Sequence, residues 1–322
     1  MELHTNPGLF EEAIRATAQH LTLPMTYVEK DYWVTVALKA LAKSDMNGSI
    51  VFKGGTSLSK AYGLISRFSE DVDIAVLTDS MSDGQVRRRV KKACGLIPNC
   101  FKEIDSPDTS KNSNFRKIRF QYPKLEEESE PQGQVTNSLL LEVNAFADPE
   151  PYNLMPISSY VADFLSSTGN EDEVTRHSLQ SFQMNVLCTS RTLCEKIMGM
   201  VKVSCGDNHI NDINKKIRHL YDIYYLMGDD STYAFFESNN FSEMANRVIE
   251  SDRRTFPNSQ WINQPLAQAV VFSDLESIWG QLESTYNGDF KKMVVSAELP
   301  TPASLFEMTK KIHNQLAILD GK

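Results

Sequence analysis

The chain has 322 residues, 41% of them hydrophobic and 23% charged, the make-up of a globular protein long enough for one large or two ordinary domains. Its 33 basic residues stand against 42 acidic ones, a formal net charge of −9, which disfavours indiscriminate nucleic-acid binding while leaving room for a local basic groove. No secretory signal and no apolar span of about 20 residues occurs, so neither export nor membrane insertion is expected; the five cysteines, Cys94, Cys100, Cys188, Cys194 and Cys205, lack C-x-x-C spacing and read as reduced thiols of a cytoplasmic protein.

Asn6-Pro7 reads as a cap and first-turn proline, and Phe10, Ile14, Ala18 and Leu21 recur at helical spacing, which predicts a first helix. A second is expected from Thr26, with Glu29 completing a capping box, and it continues through Val28, Tyr32, Trp33, Val36, Ala37 and Leu41. Tyr32 and Trp33 read as packing against a sheet, and Lys30 as a candidate for an active-site rim.

The densest chemistry follows. Ile50-Val51-Phe52 is a strand pattern closed by Gly54-Gly55, after which Thr56-Ser57 open an apolar-periodic segment at Leu58, Ala61, Tyr62 and Ile65. The reading is strand, tight glycine turn, helix. Such a turn gathers backbone N–H groups at the positive end of a helix dipole, with the Thr56 and Ser57 hydroxyls beside them, and suits a phosphate. Lys53 precedes the glycines, so this is not the G-x-x-x-x-G-K-[ST] loop. Asp71-Val72-Asp73-Ile74 then alternates, which on a strand puts Asp71 and Asp73 on one face and Val72 and Ile74 in the core. Two carboxylates about 4 Å apart repel by roughly 4 kcal/mol at an effective dielectric near 20. A divalent cation with oxygen ligands, Mg²⁺ in its usual form, offsets that repulsion. A glycine turn or an acid pair alone is commonly a plain turn or a solvated strand end; the two together, one helix apart, point to a nucleotide site.

Ser82-Asp83 is expected to cap a helix carrying Arg87, Arg88, Arg89, Lys91 and Lys92, either a solvated face or a landing strip for a phosphate backbone. Strands are expected over 115–122 and 135–146, separated by an acidic loop with Glu126, Glu127, Glu128, Glu130 and Pro131. Glu142 stands alone inside the apolar run Leu139-Leu140-Leu141-Glu142-Val143, where a carboxylate is costly unless paired or metal-bound; a salt bridge to Arg116 or Arg119 is the plain reading. A proline-rich connection covers 148–156 and leads to a short helix, and 174–188 suits a strand or ordered linker. Everything after Cys188 reads helical. Thr189-Ser190 caps a helix with Leu193, Ile197, Met200 and Val201 inside and Glu195-Lys196 on a mixed face. A helix over 210–227 holds Arg218 and Asp222 at i, i+4, an ordinary surface pair on its own, and Tyr221, Tyr224 and Tyr225 as packing residues. Further helices are expected near 241–251, 265–286 and 301–319, with Trp261 and Trp279 in the core. The six histidines, His4, His20, His177, His209, His219 and His313, show no zinc spacing.

Lys53-Gly54-Gly55-Thr56-Ser57-Leu58-Ser59-Lys60, followed by Arg67-Phe68-Ser69-Glu70-Asp71-Val72-Asp73, resembles the first motif of the AbiEii-type nucleotidyltransferases. These are the toxin half of type IV toxin–antitoxin (abortive infection) pairs, related to the MenT toxins and set within the polymerase β-like superfamily. Glu29-Lys30-Asp31-Tyr32-Trp33 resembles the segment preceding that motif, Leu141-Glu142-Val143 the second motif, and Glu195-Lys196 and Arg218-His219-Leu220-Tyr221-Asp222-Ile223-Tyr224 later ones. The resemblance implies an α/β nucleotidyltransferase domain with a mixed β-sheet over 1–188 and a helical domain over 189–322 closing one wall of a nucleotide cleft. It implies that Asp71, Asp73 and Glu142 hold two Mg²⁺ ions and that Gly54, Gly55, Thr56 and Ser57 hold the triphosphate with cationic support from Arg67 and Lys196. Lys196 and Asp222 are carried over as active-site residues, the aspartate orienting the lysine. An NTP donor, an RNA acceptor such as the 3′ end of tRNA, growth inhibition and a cognate antitoxin are implied in the same way. Two other readings stay open: the same fold acting on a small-molecule acceptor, as in antibiotic-modifying nucleotidyltransferases, and a nucleotide- or partner-binding module without transferase activity.

Overall fold

The computed structural model describes residues 2–69, 71–125, 138–146, 148–295 and 298–321. Glu70, the expected acidic loop (Glu126, Glu127, Glu128, Glu130, Pro131) and the start of the strand expected from Val135 lie outside the described residues. The chain forms two compact units: Met1–Gly63 with Phe68–Leu187, and Leu64–Arg67 with Cys188–Lys322.

The first unit is built on a mixed sheet. Its strands are β1 (Ile50–Lys53), β2 (Asp71–Val76), β3 (Lys102–Ile104), β4 (Ser110–Lys111), β5 (Phe115–Gln121), β6 (Leu139–Asn144), β7 (Tyr152–Ile157) and β8 (Phe182–Leu187). They lie in the order β3-β5-β6-β2-β1-β8-β7, with β4 also on β5. β2 runs parallel to β6 and β1 parallel to β8, and the other pairs are antiparallel. Alternation puts Val72, Ile74 and Val76 into one buried cluster with Phe52, Ile118, Leu141 and Val143, while Asp71 and Asp73 take the half-exposed face.

Helices α1 (Pro7–Leu21) and α2 (Met25–Ala42) supply much of that cluster. Asn6 caps α1 through the Leu9 N–H, and Phe10, Ile14 and Ala18 are buried, but Leu21 is 37% exposed because the chain turns at Thr22 into the left-handed region (φ 55). In α2, Trp33 is enclosed by Phe10, Phe101 and Tyr122, as a packing residue should be. The capping box expected at Thr26 does not form: the helix opens behind Pro24, and the Glu29 carboxylate accepts the Leu125 N–H at 2.9 Å, tying α2 to the chain that leaves β5. Lys30 is fully buried, so its side chain belongs to the interior of this unit.

Helix α3 (Gly54–Lys60) begins at the first glycine and is shorter than expected. Ala61, Tyr62 and Ile65 fall outside it because Gly63 adopts φ 63 and the next four residues, Leu64–Arg67, join the second unit. Helix α4 (Asp83–Cys94) is capped at Ser82 as expected, through a capping box with Gln85. The proline-rich connection contains β7, an edge strand, where Pro156 removes an N–H at little cost. Residues 174–188 resolve into the end of a short helix, α5 being Tyr160–Ser167 and α6 Glu171–Arg176, followed by β8.

The second unit is helical: α7 (Thr189–Ser204), α8 (His209–Lys215), α9 (Arg218–Met227), α10 (Asp230–Phe236), α11 (Asn239–Thr255) and a C-terminal helix, Pro302–Asp320. The helix expected over 210–227 is divided at Lys216-Ile217. The one expected over 265–286 is a series of short turns, restarted where the Asp274 carboxylate accepts the Ser277 N–H at 3.3 Å. Asp320 closes the arrangement by accepting the N–H groups of Leu266 and Ala267, each at 2.8 Å. Trp261 and Trp279 are buried, and all five cysteines are free thiols. Among the described residues no helix is long and apolar enough to cross a membrane.

One buried ion pair holds the first unit's helices in register. Asp31 on α2 accepts from Lys60 at the end of α3 at 2.5 Å and from the Tyr160 N–H at 2.9 Å, and Lys60 also donates to the Ser158 carbonyl at 2.9 Å. Burial pushes the Asp31 carboxyl above its ordinary range, opposed by the Lys60 charge. A buried carboxylate stripped of its partner is expensive. Lys60→Met is therefore expected to lower the unfolding free energy by about 3 to 5 kcal/mol, and adding Asp31→Asn to restore part of it; urea unfolding of the single and double variants measures both.

Candidate functional site

The glycine turn and the acid pair are built against each other. Gly54 sits at φ 81, and a Cβ placed on it would lie 2.0 Å from Asp73 Oδ2 and 2.9 Å from Asp73 Cγ. No side chain fits there: the carboxylate occupies the space. The same contact follows from the sheet, where Lys53 is the register partner of Asp73. The Thr56 hydroxyl donates to the Asp71 carbonyl at 2.6 Å, a second stitch between turn and strand. The Ser57 hydroxyl donates to the Gly54 carbonyl at 2.9 Å. Both hydroxyls expected beside a phosphate are thus spent on backbone, and what the turn presents is the helix-start N–H groups of Gly54, Gly55 and Thr56.

Across the sheet the register runs Lys53, Asp73, Glu142, Lys117, one residue from each of β1, β2, β6 and β5. Register partners point the same way, so two carboxylates on neighbouring strands are flanked by a lysine on either side. Glu142 is paired, but with Lys117 at 2.7 Å in place of Arg116 or Arg119. Arg119 turns instead to Asp108 and Ser138. Partial burial works against the Lys117 ammonium, yet its pKa is raised, because the Glu142 hydrogen bond and the charges of Glu142, Asp71 and Asp108 outweigh it. Lys117 escaped the sequence reading; its alternation with Ile118 and Phe120 on the strand next to Glu142 was the available signal.

The donors in this row are carboxylate oxygens, which suit a hard cation such as Mg²⁺ held by one or two carboxylates together with substrate phosphates. Asp71 and Asp73 fit that mode. Among the described residues no three His, Cys, Asp or Glu side chains converge as a ligand set, and Glu142 is engaged by Lys117.

The other three residues singled out meet in the second unit. Asp222, fully buried on α9, accepts from Arg67 Nε at 2.5 Å through Oδ1, and from Arg67 Nη2 at 2.7 Å and Lys196 Nζ at 2.6 Å through Oδ2. Arg67 reaches it because Leu64–Arg67 is threaded into this unit, where Ser66 accepts the Val295 N–H at 2.9 Å. Lys196 lies inside α7 at 7% exposure, contrary to the mixed face expected of it. Burial alone would raise the Asp222 pKa, but the two cations hold it well below the carboxylate range. Lys196 moves down: burial disfavours its charge, and Arg67 and Arg218 repel it while Asp222 opposes both. One carboxylate shared by two cations stays ionised and leaves each cation only partly compensated. Both carboxylate oxygens go to Arg67 and Lys196, so the i, i+4 arrangement with Arg218 does not explain Asp222.

The basic run on α4 is less open than its composition suggests. Arg89 donates to the Leu77 carbonyl at 2.8 Å, and Lys92 is ion-paired with Asp45; Arg87, Arg88 and Lys91 remain exposed.

A mixed sheet whose glycine turn backs a D-x-D strand belongs to the nucleotidyltransferases as a class. This chain belongs to the AbiEii family: the profile described as "Nucleotidyl transferase AbiEii toxin, Type IV TA system" matches residues 36–307. Among solved structures it is similar to MenT4, a nucleotidyltransferase toxin from Mycobacterium tuberculosis, at 16% identity and a TM-score of 0.52, over 95% of this chain and 98% of that one. JHP933 from Helicobacter pylori matches at 17% identity and a TM-score of 0.44, over 93% of this chain and 94% of that one. The likeness to MenT4 is one of fold. No curated protein matches the chain by sequence.

Two outcomes follow from this geometry. Gly54→Ala must move either the Asp73 carboxylate or the backbone at φ 81, and is expected to cost about 1 to 3 kcal/mol in urea unfolding. Asp222 binds its proton more weakly folded than unfolded. Its contribution to stability is therefore complete above the unfolded carboxylate pKa of about 3.9 and drains as pH falls towards the lower folded value. Asp222→Asn should lower stability by about 3 to 5 kcal/mol near neutrality and flatten the fall below about pH 4, read from urea midpoints across pH.

Proposed function

We propose that this nucleotidyltransferase moves a nucleotidyl group from an NTP to a hydroxyl of an RNA acceptor, tRNA 3′ ends included, in a Mg²⁺-dependent reaction that arrests growth and is countered by a cognate antitoxin. The observation that carries the reading is the seat of the Asp73 carboxylate against Gly54, the first residue of α3. The bond that forms joins the acceptor oxygen to the α-phosphorus, and the bond that breaks releases pyrophosphate. Mg²⁺ held by Asp71 and Asp73 would supply polarisation of the phosphoryl oxygens and the acceptor hydroxyl.

The protein's own groups do the rest by positioning and charge. Gly54 and Gly55 let the backbone approach the triphosphate, and the N–H groups of Gly54, Gly55 and Thr56 form the cradle while the Thr56 and Ser57 hydroxyls fix its shape. Lys53 and Lys117 balance the carboxylate row, which keeps two like charges tolerable in one place. Within the second unit Asp222 holds Lys196, and the pair keeps the active-site role that the family resemblance gives it. Arg67 contributes by clamping Asp222 and is a positioning residue.

Incubating the purified chain with labelled NTPs and total RNA in Mg²⁺ is expected to label RNA. Asp71→Ala and Asp73→Ala are each expected to reduce the label by about 100-fold or more. An NTP that binds without labelling any RNA in any divalent cation would remove the transferase reading.

A further inference from the structure

Between α2 and the chain that leads from α6 into β8, the first unit holds a cavity of about 190 Å³ for which the proposed function has no use. A stripe of α2, Val36, Lys39, Ala40 and Lys43, forms one wall, and Leu179 and Phe182 contribute another. Val36, Ala40, Leu179 and Phe182 are each only partly buried, so the fold leaves apolar surface here that it does not cover itself. Helix α2 packs on the apolar face of the sheet, where Val34 and Leu38 share a cluster with Val72 and Ile74. The cavity therefore lies on the side of the sheet away from Asp71 and Asp73.

Its polar lining is mainly cationic. Lys39 and Lys43 stand at i, i+4 on α2, a spacing at which like charges repel. Lys39 donates to the Ser178 carbonyl and, at 3.5 Å, to the Gln180 carbonyl, which fix the ammonium at the cavity without neutralising it. Ser178 itself takes the left-handed conformation (φ 55), a cost that these bonds help to offset. Lys43 is exposed and has no ion-pair partner among the described residues. The acid of the lining, Glu2, lies 3.2 Å from His4 Nε2. Burial lowers the Lys39 pKa, Lys43 acts in the same direction and Glu2 opposes both. His177, also in the lining, is 8% exposed and its Nδ1 makes no hydrogen bond, so the protein leaves the polar complement of this wall incomplete.

We infer that this cavity is a binding site for a small amphipathic carboxylate, its compact apolar body against Val36, Ala40, Leu179 and Phe182 and its charge towards Lys39 and Lys43. Both halves of the ligand are required by the lining. An inorganic anion would leave the apolar walls against water, and a purely apolar molecule would cover the ammonium groups without compensating them. Size sets the class further: an apolar cavity of about 150 Å³ takes a benzene ring, so the space here suits one ring or a branched chain with a short acidic arm, about ten non-hydrogen atoms in all. The site stands apart from nucleotidyl transfer and needs no turnover to be detected.

The test titrates the full chain with phenylacetate, 4-methylpentanoate and indole-3-acetate, each beside its primary amide, and follows binding by ligand-observed NMR. At least one carboxylate is expected to bind with a Kd of about 1 mM or tighter, and its amide about fivefold or more weakly. Lys43→Met should weaken the carboxylate by about threefold to fivefold and leave the amide unchanged, since Lys43 is exposed and its charge is partly screened. Ala40→Phe fills the cavity and should abolish binding of both; Leu179→Trp closes the same space from another wall and serves in its place if Ala40→Phe fails to fold. Absence of binding by all three carboxylates overturns the site, as does parent-like binding in the filled variants. Amides bound as tightly as their acids would overturn the assignment of an anion.

Discussion

A carboxylate occupies the volume that any side chain at residue 54 would need, and the polar architecture of the first unit follows from that exclusion. With Asp73 Oδ2 2.0 Å from where a Cβ would stand, residue 54 must be glycine twice over, for space and for its φ of 81. The contact is possible only because β1 and β2 pair with Lys53 opposite Asp73, so the turn leaving β1 passes under the acid on β2. Thr56 then bonds the Asp71 carbonyl, and the start of α3 is fixed to the strand at two points two residues apart. The placement of the acids is therefore a property of the sheet's register. Slipping β2 by one residue would turn both carboxylates into the apolar cluster now holding Val72 and Ile74, an outcome the desolvation of two charges forbids.

Charge is handled differently in the two units. In the first, carboxylates and lysines alternate along a half-exposed sheet row as plus, minus, minus, plus, each acid having a cation on its outer flank. Exchange with ions from solution is open to such a row, because solvent reaches it. In the second, a single fully buried carboxylate serves an arginine and a lysine through both oxygens. That cluster is closed, and its value lies in geometry: Asp222 cannot change partners without stranding a charge, so Lys196 is held in one rotamer.

How much of this was legible depended on whether the signal was local. The D-x-D alternation, the glycine turn, the Asn6 cap and the cap at Ser82 are written in neighbouring residues, and each appears where the pattern puts it. The pairing of Glu142 with Lys117 is a fact of strand order, which the spacing of two distant strands does not encode; the nearby arginines were equally plausible partners on composition. The burial of Lys196 was hidden for the same reason, since its counter-charge arrives from residues 67 and 222. Glu29 looked like half of a capping box because Thr26 stands three residues before it, and the structure gives that carboxylate to Leu125 instead. The break at Lys216-Ile217 had no proline or glycine to announce it.

The motifs themselves divide into scaffold and chemistry in a way a pattern match does not reveal. Of the residues that carry the family resemblance, Thr56 and Ser57 give their hydroxyls to carbonyls, Glu29 binds a backbone N–H, and Asp31 and Lys60 neutralise each other inside the protein. Arg67 is consumed by Asp222. Each is polar and each is required by the same argument, that a buried donor, acceptor or charge must be matched. What the arrangement leaves facing outward is small: backbone N–H groups at the head of α3 and the carboxylate row of the sheet. A recurring sequence pattern can therefore reflect the cost of burying polar scaffold as much as the demands of a reaction, and only partner assignments, residue by residue, separate the two.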